Sequence, residues 1–177
     1  MSLSLYLFVL ISLLFAPQSE TDIDFTDDAN WYIVNDGVMG GLSKGNEEIE
    51  NGKLTFSGTI SLENNGGFSW VKSDGWTADL SGYEKVTITY KTDDRGYDLT
   101  FETPSANNIA LFQKRLPNTD GKWRTQELNL SDFEYTIFGQ KNGKTFTNRD
   151  EVFHVGIILA DKRSGAFKMQ VEEISFD

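Results

Sequence analysis

The sequence predicts an all-β domain built as two antiparallel sheets packed face to face. Three observations carry this expectation: apolar residues alternate at period two through successive short segments, Gly-containing turn dipeptides separate those segments, and no window sustains a helical period. At 177 residues with three prolines, no repeat and no low-complexity tract, the chain suits one domain with a core that needs no staples.

The elements follow in order. "KLTFSG" sets Leu54 and Phe56 on one face, "KVTITY" does the same with Val86, Ile88 and Tyr90, and "YDLTF" with Tyr97, Leu99 and Phe101. "VGIILA", Val155 to Ala160, is a continuous apolar run, as expected of a strand covered on both faces. "FKMQVEEISF" alternates through Phe167, Met169 and Val171 and closes with Ile174 and Phe176. Turns are expected at Asn51-Gly52, Asn65-Gly66, Asp74-Gly75, Asp120-Gly121 and Asn142-Gly143.

The N-terminus is of another kind. Leu3 to Phe15 is a nearly unbroken apolar run, short for a bilayer span and of the length of a signal-peptide core. No Lys or Arg precedes it, and Pro17 follows Ala16 at the expected cleavage region. Residues 1–19 are therefore read as a signal peptide or N-terminal membrane anchor and residues 20–177 as the β-sandwich domain. Export to a bacterial periplasm or cell envelope follows, with anchoring to the inner membrane by residues 3–15 as the alternative. Membrane contact would come only through this segment.

Composition excludes several function classes. Lys and Arg total 16 against 27 Asp and Glu, a formal charge of -11 with the acidic residues spread along the chain, so no cationic track for nucleic acid exists. With no Cys there is no disulfide, thiolate nucleophile or bacterial lipoprotein anchor, and with one histidine no His metal cluster. His154, beside the apolar run at Val155, is expected to be a hydrogen-bonded strand-end residue, since no motif marks a nucleophile for it. Paired carboxylates could in principle run glycoside hydrolysis. The cluster Asp22, Asp24, Asp27 and Asp28 offers hard oxygen ligands for calcium, against the reading of an acidic edge strand that resists pairing. Asn129-Leu130-Ser131 fits a glycosylation acceptor at an apparent strand end. No cofactor is called for.

"NDGVMGGLSKG", Asn35 to Gly45, is a loop in need of an explanation. Lys44 lacks the preceding Gly of a phosphate loop, and no helix follows to supply the strand-turn-helix unit of a dinucleotide site. What remains is a backbone argument: Gly37, Gly40 and Gly41 permit positive φ or close approach, Val38 and Met39 act as pegs, and Asn35 and Asp36 bond nearby amides. "LENNGGFSW", Leu62 to Trp70, has the same character, and the simplest arrangement packs the two loops together. The pair makes either a rigid corner or a polar recognition surface of Asn35, Asp36, Asn64 and Asn65. Among the tryptophans 31, 70, 76 and 123, Trp76 after "SDG" is expected to be exposed, and Trp76 or Trp70 beside polar loops would suit a sugar.

At these loops the sequence resembles a known family. "WYIVNDGVMGGLSKG", "LTFSGTISLENNGGFSWVKS", "GKWRTQELNLSDF" and "GAFKMQVEEISF" are similar, in order and spacing, to the NADH:ubiquinone oxidoreductase complex I intermediate-associated protein 30 family, over about Asp24 to Phe176. The resemblance implies a galactose-binding-domain-like jelly-roll β-sandwich and a non-catalytic, assembly-factor or chaperone-like module that recognises a protein partner. It places the family's blocks on Asn35, Asp36, Gly37, Val38, Met39, Gly40, Gly41 and Ser43, on Phe56, Ser57 and Gly58, on Glu63, Asn64, Asn65, Gly66, Gly67 and Phe68, and on Trp123, Asp132 and Phe133. Where the family usually has Arg, this chain reads Lys72 after Trp70, and Lys lacks the planar guanidinium fork. The candidate binding residues are thus Asn35, Asp36, Met39, Gly40, Gly41, Ser43, Glu63, Asn64, Asn65, Gly66, Gly67, Phe68, Trp70, Lys72 and Trp76. A carbohydrate-binding module of the cell envelope is the alternative, and a carboxylate-pair hydrolase the third reading.

Overall fold

In the computed structural model the structure describes residues 21–26, 30–105, 108–137 and 140–177, and the backbone alone of Val38, Met39 and Asn108. The N-terminal signal or anchor, Asp27 and Asp28 lie outside the described residues. These form thirteen strands: β1 (Ile23–Asp24), β2 (Trp31–Asn35), β3 (Lys44–Glu50), β4 (Lys53–Ile60), β5 (Ser69–Ser73), β6 (Lys85–Thr92), β7 (Tyr97–Ser105), β8 (Asn108–Arg115), β9 (Arg124–Asn129), β10 (Glu134–Ile137), β11 (Gln140–Thr145), β12 (His154–Leu159) and β13 (Gly165–Phe176). Only short 3-10 turns interrupt them among the described residues.

Two antiparallel sheets result, as the alternation requires. One runs β3-β4-β13-β6-β9 with β1 added on β13, and the other runs β11-β10-β8-β7-β12-β5-β2. The inward faces meet in one core. Leu54, Phe56, Ile88, Met169 and Ile174 come from the first sheet, and Val71, Leu99, Phe101, Val155 and Ile157 from the second. Rings cross the interface between Phe56 and Tyr97 at 6.4 Å and between Phe101 and Phe176 at 6.0 Å.

The broken alternation of the last strand has a local cause. Between Val171 and Glu173 the register against β6 slips, so a bulge absorbs one residue and returns Ile174 and Phe176 to the core face. Asn51-Gly52 turns tightly between β3 and β4, with φ of 53° and 71°, and Asp120-Gly121 between β8 and β9, with φ of 51° and 73°. The expected turn at Asn142-Gly143 is instead inside β11: Glu134 pairs Thr145 while Thr136 pairs Lys141, and the surplus residues bulge there. A Gly at φ 76° serves a bulge as well as it serves a hairpin.

β7 also departs from the simple alternation. Tyr97, Leu99 and Phe101 face the core as expected, yet Asp98, Thr100 and Glu102 on the opposite face are buried too. That second buried face is not a core face, and it shapes the site.

Candidate functional site

The two glycine loops do pack together, and Asp36 is what joins them. It begins the 3-10 turn Asp36–Met39 after β2, which Gly40 closes at φ 84°. The Asp36 carboxylate, 1 % exposed, accepts the Ser43 amide at 3.1 Å on one oxygen, and the Ser43 hydroxyl at 2.6 Å and the amides of Gly67 (2.6 Å) and Phe68 (3.2 Å) on the other. Burial by itself pushes this carboxyl up. The four donors outweigh it and hold the group below its ordinary value.

The glycines are there to let this happen. A Cβ on Gly41 would lie 2.3 Å from the Asp36 Cγ, and one on Gly66 would lie 2.6 Å from its Oδ2. Asn35 Oδ1 accepts the Gly45 amide at 3.1 Å, and Asn64 Nδ2 donates to the Gly40 carbonyl at 3.0 Å. Asn64 and Asn65 take φ near 55° and 59°, which Asn tolerates better than most residues.

Asp36 and Ser43 are therefore interior, and the recognition surface expected of Asn35, Asp36, Asn64 and Asn65 is corrected accordingly: Asp36 lies beneath that surface, and Asn35 spends its carbonyl on Gly45. What the corner shows to solvent is Glu63, Asn64 and Asn65, with Leu42 at 52 % and Leu62 at 45 % exposure on either side of the Ser43–Ser61 hydrogen bond.

A second assembly lies on the side of the seven-stranded sheet turned away from the core. Register puts Lys72 between Tyr32 and Gly156, and Gly156 opposite Thr100. Because Gly156 has no side chain, the Trp70 indole crosses it and donates from Nε1 to Thr100 Oγ1 at 3.1 Å; a Cβ there would stand 2.7 Å from that nitrogen. The Lys72 ammonium sits 4.4 Å from the Trp70 ring centre and 5.6 Å from that of Tyr32, and pairs with Glu102. Arg115 holds Asp98 by two bonds of 2.8 and 3.1 Å. Burial keeps the Asp98 carboxyl above its ordinary value despite the guanidinium beside it.

His154 opens β12 on this face. Its Nδ1 meets the Ser73 carbonyl at 2.6 Å and its Nε2 the Tyr32 hydroxyl at 3.4 Å, so it is the hydrogen-bonded strand-end residue the sequence suggests. Trp76 is a correction: it is half-buried, stacked on Phe176 at 6.1 Å and packed on the core, in a segment after β5 that the bridge of Ala78 to Val152 ties to the sandwich. Trp123 is the exposed one, at 41 %, with the ammonium groups of Lys53 and Lys91 over its ring. Asp22 and Asp24 sit where the first strand pairs the last, and Asp22 Oδ1 accepts the Phe176 amide at 2.9 Å. No group of three or more His, Asp or Glu residues that could hold a metal occurs among the described residues.

Trp70 and Lys72 were legible as candidates, and the structure brings them together. Tyr32, Asp98, Thr100, Glu102 and Arg115 were missed. For Asp98, Thr100 and Glu102 the signal was the polar parity of "YDLTFE", which reads as plain solvent exposure until β5 and β12 are laid beside it; Tyr32 and Arg115 carried none.

Comparison with known proteins now bears on this geometry. The family described as complex I intermediate-associated protein 30 matches residues 18–171. The mitochondrial complex I intermediate-associated protein 30 of Neurospora crassa is 29% identical over 98 residues, 54% of this chain; the match spans about a third of that relative's length, 35%. The family 11 carbohydrate-binding module of the cellulosomal cellulase Lic26A-Cel5E of Clostridium thermocellum superposes with a TM-score of 0.62 at 15% identity, covering 90% of this chain and 95% of that one. A family 30 carbohydrate-binding module superposes at 0.54 with 12% identity, over 88% of this chain and 99% of that one. At such identities the likeness is one of fold, the galactose-binding-like jelly roll.

Proposed function

Because the chain belongs to the complex I intermediate-associated protein 30 family, we propose that it is a non-catalytic, exported binding protein that works as an assembly factor on a protein partner. The family match carries the assembly-factor part of this reading, and the apolar run Leu3 to Phe15 is the reason for proposing export. The locked corner supports it, since the exposed Leu42 and Leu62 stand on a backbone fixed by Asp36, and apolar side chains on a rigid rim lose little entropy on docking.

The absence of a catalytic role is supported by the carboxylates. Asp98 and Glu102 share a face, but each carboxylate is tied in an ion pair, Asp98 with Arg115 and Glu102 with Lys72, and so is not set as the free acid and base of glycoside hydrolysis.

The test is capture of the tagged full-length protein from mildly solubilised cell envelopes. Respiratory complex I subunits are expected to co-purify, and to be lost with a Leu42→Asp/Leu62→Asp variant whose thermal transition matches the parent. No enrichment of those subunits over an untagged control would overturn the assembly reading.

A second reading, carbohydrate binding, is favoured by one observation. The outward face of the seven-stranded sheet carries Trp70 and Tyr32 among buried, charge-paired polar groups.

A further inference from the structure

Lys72, Asp98, Thr100 and Glu102 point away from the core, yet they are only 7, 5, 1 and 5 % exposed. Ordinary outward-facing residues of a sandwich are solvated. Here the desolvation of the Lys72–Glu102 pair and of the Asp98 carboxyl, whose Arg115 partner stays half exposed, has been borne in folding with no core to gain from it, and apolar residues of like volume are often neutral or stabilising in place of a buried pair. Stability therefore does not account for the arrangement.

From this we propose that the outward face of the seven-stranded sheet is a binding site for a neutral, hydroxyl-rich polysaccharide chain, laid across β2, β5, β12 and β7 on the half-exposed rings of Trp70 and Tyr32, which the buried Lys72, Thr100 and Glu102 hold from beneath. The proposal rests on the carbohydrate reading above and gives it a location and a ligand class.

Four features of the face select such a ligand. The charges cancel in pairs, Lys72 with Glu102 and Arg115 with Asp98, and the chain as a whole carries -11, so neither a polyanion nor a polycation is favoured. The polar layer under the rings mixes both kinds of capacity: Glu102 Oε2 takes the Lys72 ammonium and has a second lone pair, and Thr100 Oγ1, having accepted the Trp70 N–H, keeps its own proton to give. Hydroxyl groups, donors and acceptors at once, match that mixture. Trp70 is held in place by Thr100 and by the missing side chain of Gly156, so an aromatic contact surface is set before any ligand arrives. Finally, β8, β7, β12, β5 and β2 lie side by side, a span of about 19 Å at the usual strand spacing, room for several linked sugar rings.

Affinity gel electrophoresis of the full-length protein tests this, with mixed-linkage glucan, galactomannan and xylan in separate gels, and alginate as the anionic counterpart. At least one neutral polysaccharide is expected to retard the protein, with affinity reduced tenfold or more in Trp70→Ala and in the isosteric Glu102→Gln. Trp123→Ala, a ring set against Lys53 and Lys91 of the other sheet, is expected to bind like the parent. Retardation preserved in both Trp70→Ala and Glu102→Gln would overturn the site while leaving the carbohydrate reading standing. If no neutral polysaccharide retards the parent, both fall. Retardation by alginate alone would overturn the neutral-ligand assignment, and loss of complex I subunit capture in Glu102→Gln without any glycan binding would make this face a protein interface instead.

Discussion

Asp36 accepts four hydrogen bonds where most surface aspartates accept water, and this sets what single substitutions there must do. In Asp36→Asn the amide presents its own donors to backbone N–H groups, and we expect a loss of about 3 kcal/mol, roughly 10 °C in Tm. The pH dependence has a definite sign. The folded carboxyl lies below its ordinary value of 3.8, so its stabilisation is complete above that pH and is lost as pH falls through the folded value. Thermal melts of parent and Asp36→Asn should therefore converge on acidification below about pH 4. The neighbouring glycines separate cleanly. Gly41→Val must drive its Cβ into Asp36 and should destabilise severely, whereas Gly37→Ala, with nothing within 4 Å, should stay within about 0.5 kcal/mol. An unchanged melting curve for Gly41→Val would end the close-approach explanation.

Between elements, Arg95 performs the corresponding service. It lies in the connection from β6 to β7, with its side chain 3 % exposed, and its Nε and Nη2 hold Asp161 at 2.7 and 2.8 Å. Nη1 donates to the Ala166 carbonyl at 2.9 Å, so the β6–β7 connection grips both the β12–β13 connection, at Asp161, and the start of β13. Arg95→Met leaves Asp161 buried without its partner, and we expect a loss of about 3–5 kcal/mol. Arg95→Lys should recover only part of it, because an ammonium cannot make the two-pronged contact. Urea unfolding checks both: the midpoint should fall with the slope unchanged.

For the molecule as a whole, the order of the sheets places the last strand in the middle. β13 lies between β4 and β6 and also pairs the first strand, Ile23 with Ile174. A chain ended at residue 164 would expose both neighbours as unpaired edges and open the core that Phe167, Met169, Val171, Ile174 and Phe176 fill. It is expected to show no cooperative thermal transition by circular dichroism. A sharp transition in that truncated chain would mean that the first sheet closes without its central strand.

Much of this was present in the sequence by itself. Alternation at Leu54 and Phe56, at Val86, Ile88 and Tyr90, and at Phe167, Met169 and Val171 determined strands and core, because the two-residue repeat is a property of the extended backbone alone. The glycine pairs marked the two loops, since left-handed φ and close approach are local demands. Tertiary structure alone decided that Asp36 is interior, that Asn142-Gly143 sits in a bulge and that Trp76 lies on the core while Trp123 faces solvent. It also decided that Asp98, Thr100 and Glu102 line a buried polar face. Those outcomes depend on which distant strands become neighbours: Tyr32, Trp70, Thr100 and His154 meet only when the order β7-β12-β5-β2 is set. No periodicity within one segment records that order, because it comes from how two whole sheets close on one core.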